Sequence, residues 1–162
     1  MSGTLLNFGN WLQNTRLALS IASSTWSYAY VQALHFSGLS LFLGTNLALD
    51  LSLLGVGKHR HTPAELSAGL IVWNWIGFCI AITGGFLLFS ASAASYVINP
   101  AFLTKLGILI PVALIVHITV QSKVRGWCQT PELPKVARFA GLGELVLWLC
   151  VATAAVLIPY VG

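Results

Sequence analysis

Charge is what this chain has least of. Of its 162 residues, 7% are Asp, Glu, Lys or Arg, where soluble domains carry about a quarter. With 57% apolar residues and a mean hydropathy of +0.84, that scarcity excludes a soluble domain and leaves an integral membrane protein. Thioether is nearly absent too. The one methionine is Met1, so no methionine ladder for Cu(I) exists. The three cysteines, Cys79, Cys128 and Cys150, form no CxxC pair. Two of them lie in apolar runs, where a thiol is a small buried hydrophobe, and nothing calls for a disulfide. No nucleophile–base pair, phosphate loop or zinc motif supports a hydrolase or a nucleotide enzyme. The start, MSGTLLNFGNWLQNTR, lacks the basic, apolar and small-residue order of a cleavable signal. Insertion is therefore expected to rest on the helices themselves.

What is present is a succession of apolar runs, each long enough to cross a bilayer, which takes about 20 helical residues. The spans are expected at about 26–55, 66–90, 101–122 and 141–161. Ahead of them, residues 4–22 mix Leu5, Phe8, Trp11, Leu12 and Leu19 with Asn10, Gln13, Asn14 and Arg16. That run is too polar to span and reads as an interfacial amphipathic helix, with an irregular leader as the alternative. The expected fold class is all-α: one membrane domain, 1–162, built as a four-helix bundle in a lipid bilayer. Pro63 and Glu65 suit a helix start. Pro111 should kink the third span, because it removes a backbone donor. Trp73, Gly77, Gly84 and Leu88 can share one side of the second span, where small residues let a neighbouring helix or a flat ligand come close.

The net charge of +4 is no nucleic-acid signal, because the basic residues sit in short loops and report orientation. Lys58, Arg60, Lys123, Arg125, Lys135 and Arg138 follow spans one and three, whereas Arg16 and Lys105 lie on the other side. Positive charge stays inside. The expectation is a multi-pass protein of a bacterial inner membrane with both termini in the periplasm.

Ionisable groups inside spans are expensive and are functional candidates by default. Here they are His35, Asp50, Lys105, His117 and Glu144. His35 is followed by Gly38, Leu39, Phe42 and Asn46 on or near one helical side. A histidine beside a glycine and an aromatic can form a haem wall, with imidazole as axial ligand and the glycine leaving room for the porphyrin. The alternative is a neutral histidine bonded to another helix. His117 is the other histidine within a span and the candidate second ligand. Measured from Tyr28 and Lys105, the two histidines differ in depth by five residues, or about 7–8 Å of rise. A shared iron therefore needs tilt, a kink or offset helix starts; otherwise His117 serves elsewhere.

Lys105 and Arg16 are candidates to meet haem propionates, or to snorkel to water. His59 and His61 form an H-x-H in a basic loop, which reads better as a solvated loop near anionic headgroups than as a copper or zinc site. Asp50 and Asn46 sit toward the cytoplasmic end of span one. Asp50 can cap, accept from Trp73 or Trp75, pair with a loop arginine, or pass protons to a quinone. Glu144 is expected to pair with Arg138.

Several segments together resemble an uncharacterised family of small bacterial four-span inner-membrane proteins: the tryptophan-rich start, ALH in span one, its exit DLSLLG, WNWIGF in span two and NPAFLTK opening span three. That resemblance covers nearly the whole chain and bears on topology. More distantly, ALHFSGLSLFLG is similar to the first histidine-bearing helix of CopD-type and related b-type cytochrome membrane proteins. It implies a four-helix haem protein with His35 at the matched position, passing electrons between quinol and a periplasmic partner. The several paired histidines of dihaem cytochromes are absent.

Three readings follow. The first is a haem b electron-transfer protein or membrane anchor subunit, linking the quinone pool to a periplasmic redox protein or other membrane subunits. Its cofactor site would comprise His35, His117, Gly38, Lys105 and Arg16, with both histidines on iron. The second is a copper or small-solute handling protein with a polar path through His35, Asn46, Asp50 and His117. The third is a structural subunit, in a complex with other chains or a homo-oligomer.

Overall fold

The computed structural model describes residues 2–56, 61–129 and 132–160. Lys58, His59, Arg60 and Pro131 lie outside the described residues. Among the described residues four helices are long and apolar enough to cross a membrane: Thr25–Leu54, Pro63–Ala91, Pro100–Trp127 and Lys135–Tyr160. Only 11% to 39% of the most apolar stretch of each span is buried inside the protein. Leu34, Val72, Ile115 and Leu149 face outward, while Asn46, Asp50, Asn74, His117 and Glu144 are buried. This apolar-out, polar-in arrangement suits a hydrocarbon solvent and no aqueous one. The protein is an all-α, multi-pass membrane bundle.

The N-terminal run is two helices rather than one, α1 (Ser2–Gln13) and α2 (Arg16–Ala22). Thr15 breaks it, because its hydroxyl accepts the Ala18 N–H as an N-cap. The first span is α3 (Thr25–Leu54), capped by Ser24 and ended by Gly55 at φ 95°, a left-handed position that suits glycine. The second is α4 (Pro63–Ala91). It opens as its sequence leads one to expect: the Thr62 hydroxyl accepts the Glu65 N–H at 3.2 Å, and the Glu65 carboxylate accepts the Thr62 N–H at 2.8 Å.

A short helix α5 (Ala93–Tyr96) follows, against which α1 packs. Gly9 of α1 lies so close that a Cβ there would meet Ala94 Cα at 3.0 Å. The Ala94 N–H donates to Gln13 Oε1 at 3.1 Å. The N-terminal helices thus pack on the bundle rather than standing apart from it.

The third span is α6 (Pro100–Thr104), one wide turn at Lys105–Leu109, and α7 (Ile110–Trp127). Within the wide turn the Ile110 N–H reaches back to Lys105 O, five residues away. Pro111 cannot donate to Gly107, so the helix slips by one residue just ahead of it. The expected kink is this turn.

The fourth span, α8 (Lys135–Leu157), starts six residues before the expected 141. α7 likewise runs on to Trp127. The cations of both segments ride on helix ends that outlast the apolar stretch, so the loop between them is short.

α3 and α4 form the tightest pair. A Cβ on Gly38 would sit 2.4 Å from Ala81 N, and one on Gly77 would sit 2.6 Å from Phe42 N. The two backbones touch where side chains are missing. α8 packs on α3 and α7. Two apolar clusters hold the bundle. One is Phe42, Ala113, Trp148 and Val151; the other is Leu49, Leu53, Val120, Val124 and Ala137. Asn46 on α3, His117 on α7 and Glu144 on α8 fall between these clusters.

Candidate functional site

The polar layer is built from one position on each span. Asn46 lies one turn beyond Phe42 on α3, His117 one turn beyond Ala113 on α7, and Glu144 one turn before Trp148 on α8. Asn74 of α4 completes the layer. His117 is fully buried and both its ring nitrogens are engaged. Nδ1 lies 2.5 Å from Glu144 Oε1 and Nε2 lies 3.0 Å from Asn74 Oδ1. An amide oxygen only accepts, so Nε2 carries a proton and donates to Asn74. The Nδ1–Oε1 contact then holds one more proton, on the imidazole or on the carboxyl.

Asn74 Nδ2 donates onward to Asn46 Oδ1 at 2.5 Å and to Thr45 Oγ1 at 2.8 Å. Phe42, Trp75 and Trp148 surround the imidazole, with ring centroids 5.6, 5.7 and 6.5 Å away. Two turns before Asn74 on α4 and one turn after His117 on α7, the Ser67 hydroxyl donates to Gln121 Oε1 at 2.8 Å and ties the two helices again.

Beside this network, four buried groups have no protein partner among the described residues. They are both Asp50 carboxyl oxygens, Asn46 Nδ2, Glu144 Oε2 and Trp148 Nε1. Asp50 and Glu144 are near enough to act on each other electrostatically. Asn46, Asp50 and Trp148 line a cleft of about 190 Å³ between α3 and α8.

His35 occupies a separate place. Its ring is partly buried, and Nδ1–H donates to the Ala81 carbonyl at 2.7 Å. Nε2 is left with its lone pair. Gly84 meets the His35 backbone and Gly85 meets the ring, a Cβ on Gly85 falling 3.0 Å from Cε1. Lys105, also partly buried, acts electrostatically on His35.

The structure brings His35 and Lys105 into one region but does not bring His117 to them. Along α4, His35 contacts Ala81 and Gly84, whereas His117 contacts Asn74. Seven to ten helical residues separate those contacts, about 10–15 Å of rise. That is wider than the depth offset read from the sequence, and no single iron spans it. His117 has no free lone pair either. As for Gly38, α4 fills the space over it, so its missing side chain admits a helix rather than a porphyrin. Arg16 is exposed at the start of α2. His61 is exposed as well, and its partner in the H-x-H, His59, is outside the described residues.

Two further expectations change. Glu144 pairs with His117 and not with Arg138. Asp50 takes no hydrogen bond from Trp73, which is 56% exposed, nor from Trp75, which faces His117. Asn74 and Trp148 were not foreseen in the site. The signal for Asn74 was an amide three residues before Gly77 in a wholly apolar run. Trp148 was signalled by lying one turn after Glu144.

As a metal centre, the described residues hold no group of three or more His, Cys, Asp or Glu. As a haem site, the residues around His35 fit a single axial ligand: an imidazole held by its Nδ1–H to a carbonyl, with Nε2 free, is how metal-bound histidines are oriented. No protein-family profile, curated protein or solved structure matches this chain.

Proposed function

We propose that this protein is a membrane electron-transfer subunit of the bacterial inner membrane, carrying a b-type haem on His35 and linking the quinone pool to a periplasmic redox partner. Both termini would face the periplasm. The observation that supports this reading is the different wiring of the two histidines within the spans. The His35 ring has one nitrogen fixed and one lone pair free, which suits a metal ligand. The His117 ring has both nitrogens committed, one of them to a carboxyl, which leaves none for a metal and suits a tie between helices.

In this reading the haem would supply one-electron chemistry. The chain's own residues do the rest. Ala81 O orients the His35 ring, and Lys105 offers positive charge to a propionate. The His117–Glu144 pair holds its shared proton between α7 and α8. Arg16 has no part in this reading, and His117 ties α7 to α8 and α4 instead of binding iron.

The test is an absorption spectrum of the protein purified from haem-replete cells, oxidised and then reduced with dithionite. A Soret band that shifts on reduction is expected. His35→Ala should abolish it, and His117→Ala should leave its position unchanged. A colourless wild-type preparation sinks the proposal.

A further inference from the structure

We propose that the cleft between α3 and α8 binds the head of a lipid-soluble para-quinone, entering sideways from the bilayer. The inference rests on the proposed exchange with the quinone pool, but its site and its test do not involve His35 or haem.

The cleft is lined by Leu43, Asn46, Leu47 and Asp50 from α3, and by Leu145, Trp148, Leu149 and Ala152 from α8. Leu47 and Leu149 are 46% and 67% exposed on the outer surface of the spans. The mouth therefore opens toward hydrocarbon. At about 190 Å³ the space equals roughly six waters of liquid volume, which admits a single ring and leaves an isoprenoid tail outside.

The polar atoms decide the ligand class. Asn46 Nδ2 and Trp148 Nε1 are donors without a protein acceptor, on side chains 3% and 8% exposed. Asn46 Oδ1 is already spent on Asn74, which fixes the amide's NH₂ as its free end. Buried donors left unpaired are costly in a membrane. A metal cation would aggravate them, whereas a carbonyl oxygen relieves them. Asp50, 1% exposed and with both carboxyl oxygens unpartnered, complements the other redox state. A quinone presents acceptor oxygens to Asn46 and Trp148; a quinol presents hydroxyl donors to the unpartnered Asp50 carboxyl oxygens. An acyl chain offers neither group, and a phospholipid headgroup is too large and too polar for a leucine-lined slot.

The experiment is photolabelling of the purified protein in nanodiscs with a short-tailed azido-para-quinone, mapped by mass spectrometry, alongside equilibrium binding of the parent quinone. Label is expected on Leu43–Asp50 and Leu145–Ala152. Asp50→Leu and Asn46→Leu should each weaken binding about tenfold, the scale expected when a hydrogen bond to a buried polar group is lost. Those variants alter the core, so Leu149→Trp provides the second arm. It closes the mouth from the lipid side, should leave thermal unfolding unchanged, and should abolish labelling in the cleft. Label scattered over the lipid-facing surface, or binding indifferent to Leu149→Trp, overturns the inference and leaves a cleft that holds water only. Colourless protein that still labels in the cleft keeps this inference and refutes the haem reading. Coloured protein without cleft label does the reverse.

Discussion

His117 on α7 and Glu144 on α8 meet at 2.5 Å, both side chains buried. The pair is enclosed by Asn74 on one side and by Phe42, Trp75 and Trp148 around the ring. Apolar clusters lie on either side of it along the bundle. Its strength comes from low surrounding polarity, and so does the penalty for halving it.

Removing one partner alone should therefore cost far more than removing both. Glu144→Ala leaves Nδ1 of His117 without its partner and should destabilise the bundle by about 3–5 kcal/mol. Glu144→Leu combined with His117→Leu should recover a large part of that loss. Thermal unfolding in a fixed detergent, read as a double-mutant cycle, checks this; additive losses would contradict it.

Helix contact makes a second prediction. Gly38→Ala places a methyl 2.4 Å from Ala81 N, and backbone cannot step aside as a side chain can. A loss of about 1–3 kcal/mol is expected from overpacking. Gly44→Ala is the control, because nothing lies within 4 Å of a Cβ there. It should be neutral or slightly stabilising. Equal effects at the two positions would mean that α3 and α4 are not in backbone contact.

The capping box at α4 is open to a milder test. Thr62→Ala removes the acceptor for the Glu65 N–H and should cost about 1 kcal/mol. Thr62→Ser should cost little. Hydrogen exchange of the first turn of α4 would register the difference, with faster exchange expected only in the alanine variant.

Orientation can be read with topology reporters. An enzyme active only outside the cytoplasm should be active when fused after the last residue and silent when inserted beside His61. The reverse pattern would invert the assignment drawn from the loop cations.

The spans, the helix start at Pro63 and Glu65 and the stripe Gly38–Phe42–Asn46 were legible in the sequence, because each depends on local pattern. The phase of α4 was not. Trp73 was grouped with Gly77 and Gly84, whereas Asn74, its neighbour, faces the bundle. A helix that is apolar on every side carries no periodic signal to say which side turns inward. Glu144 was matched with Arg138 by nearness in sequence, but its partner is 27 residues away on another helix. Side-chain partners across spans are set by packing, which one chain read alone does not contain.

The wide turn at Lys105–Leu109 has a geometric consequence. Twelve residues separate Lys105 from His117. In an unbroken α-helix, at about 100° per residue, they would leave the axis about 120° apart. One surplus residue in the turn closes that to about 20°. The slip ahead of Pro111 therefore acts as a phase adjuster: it brings the azimuth of a cation near His35 into line with that of an imidazole locked to Glu144. A regular third span would leave the two side chains about a third of a turn apart.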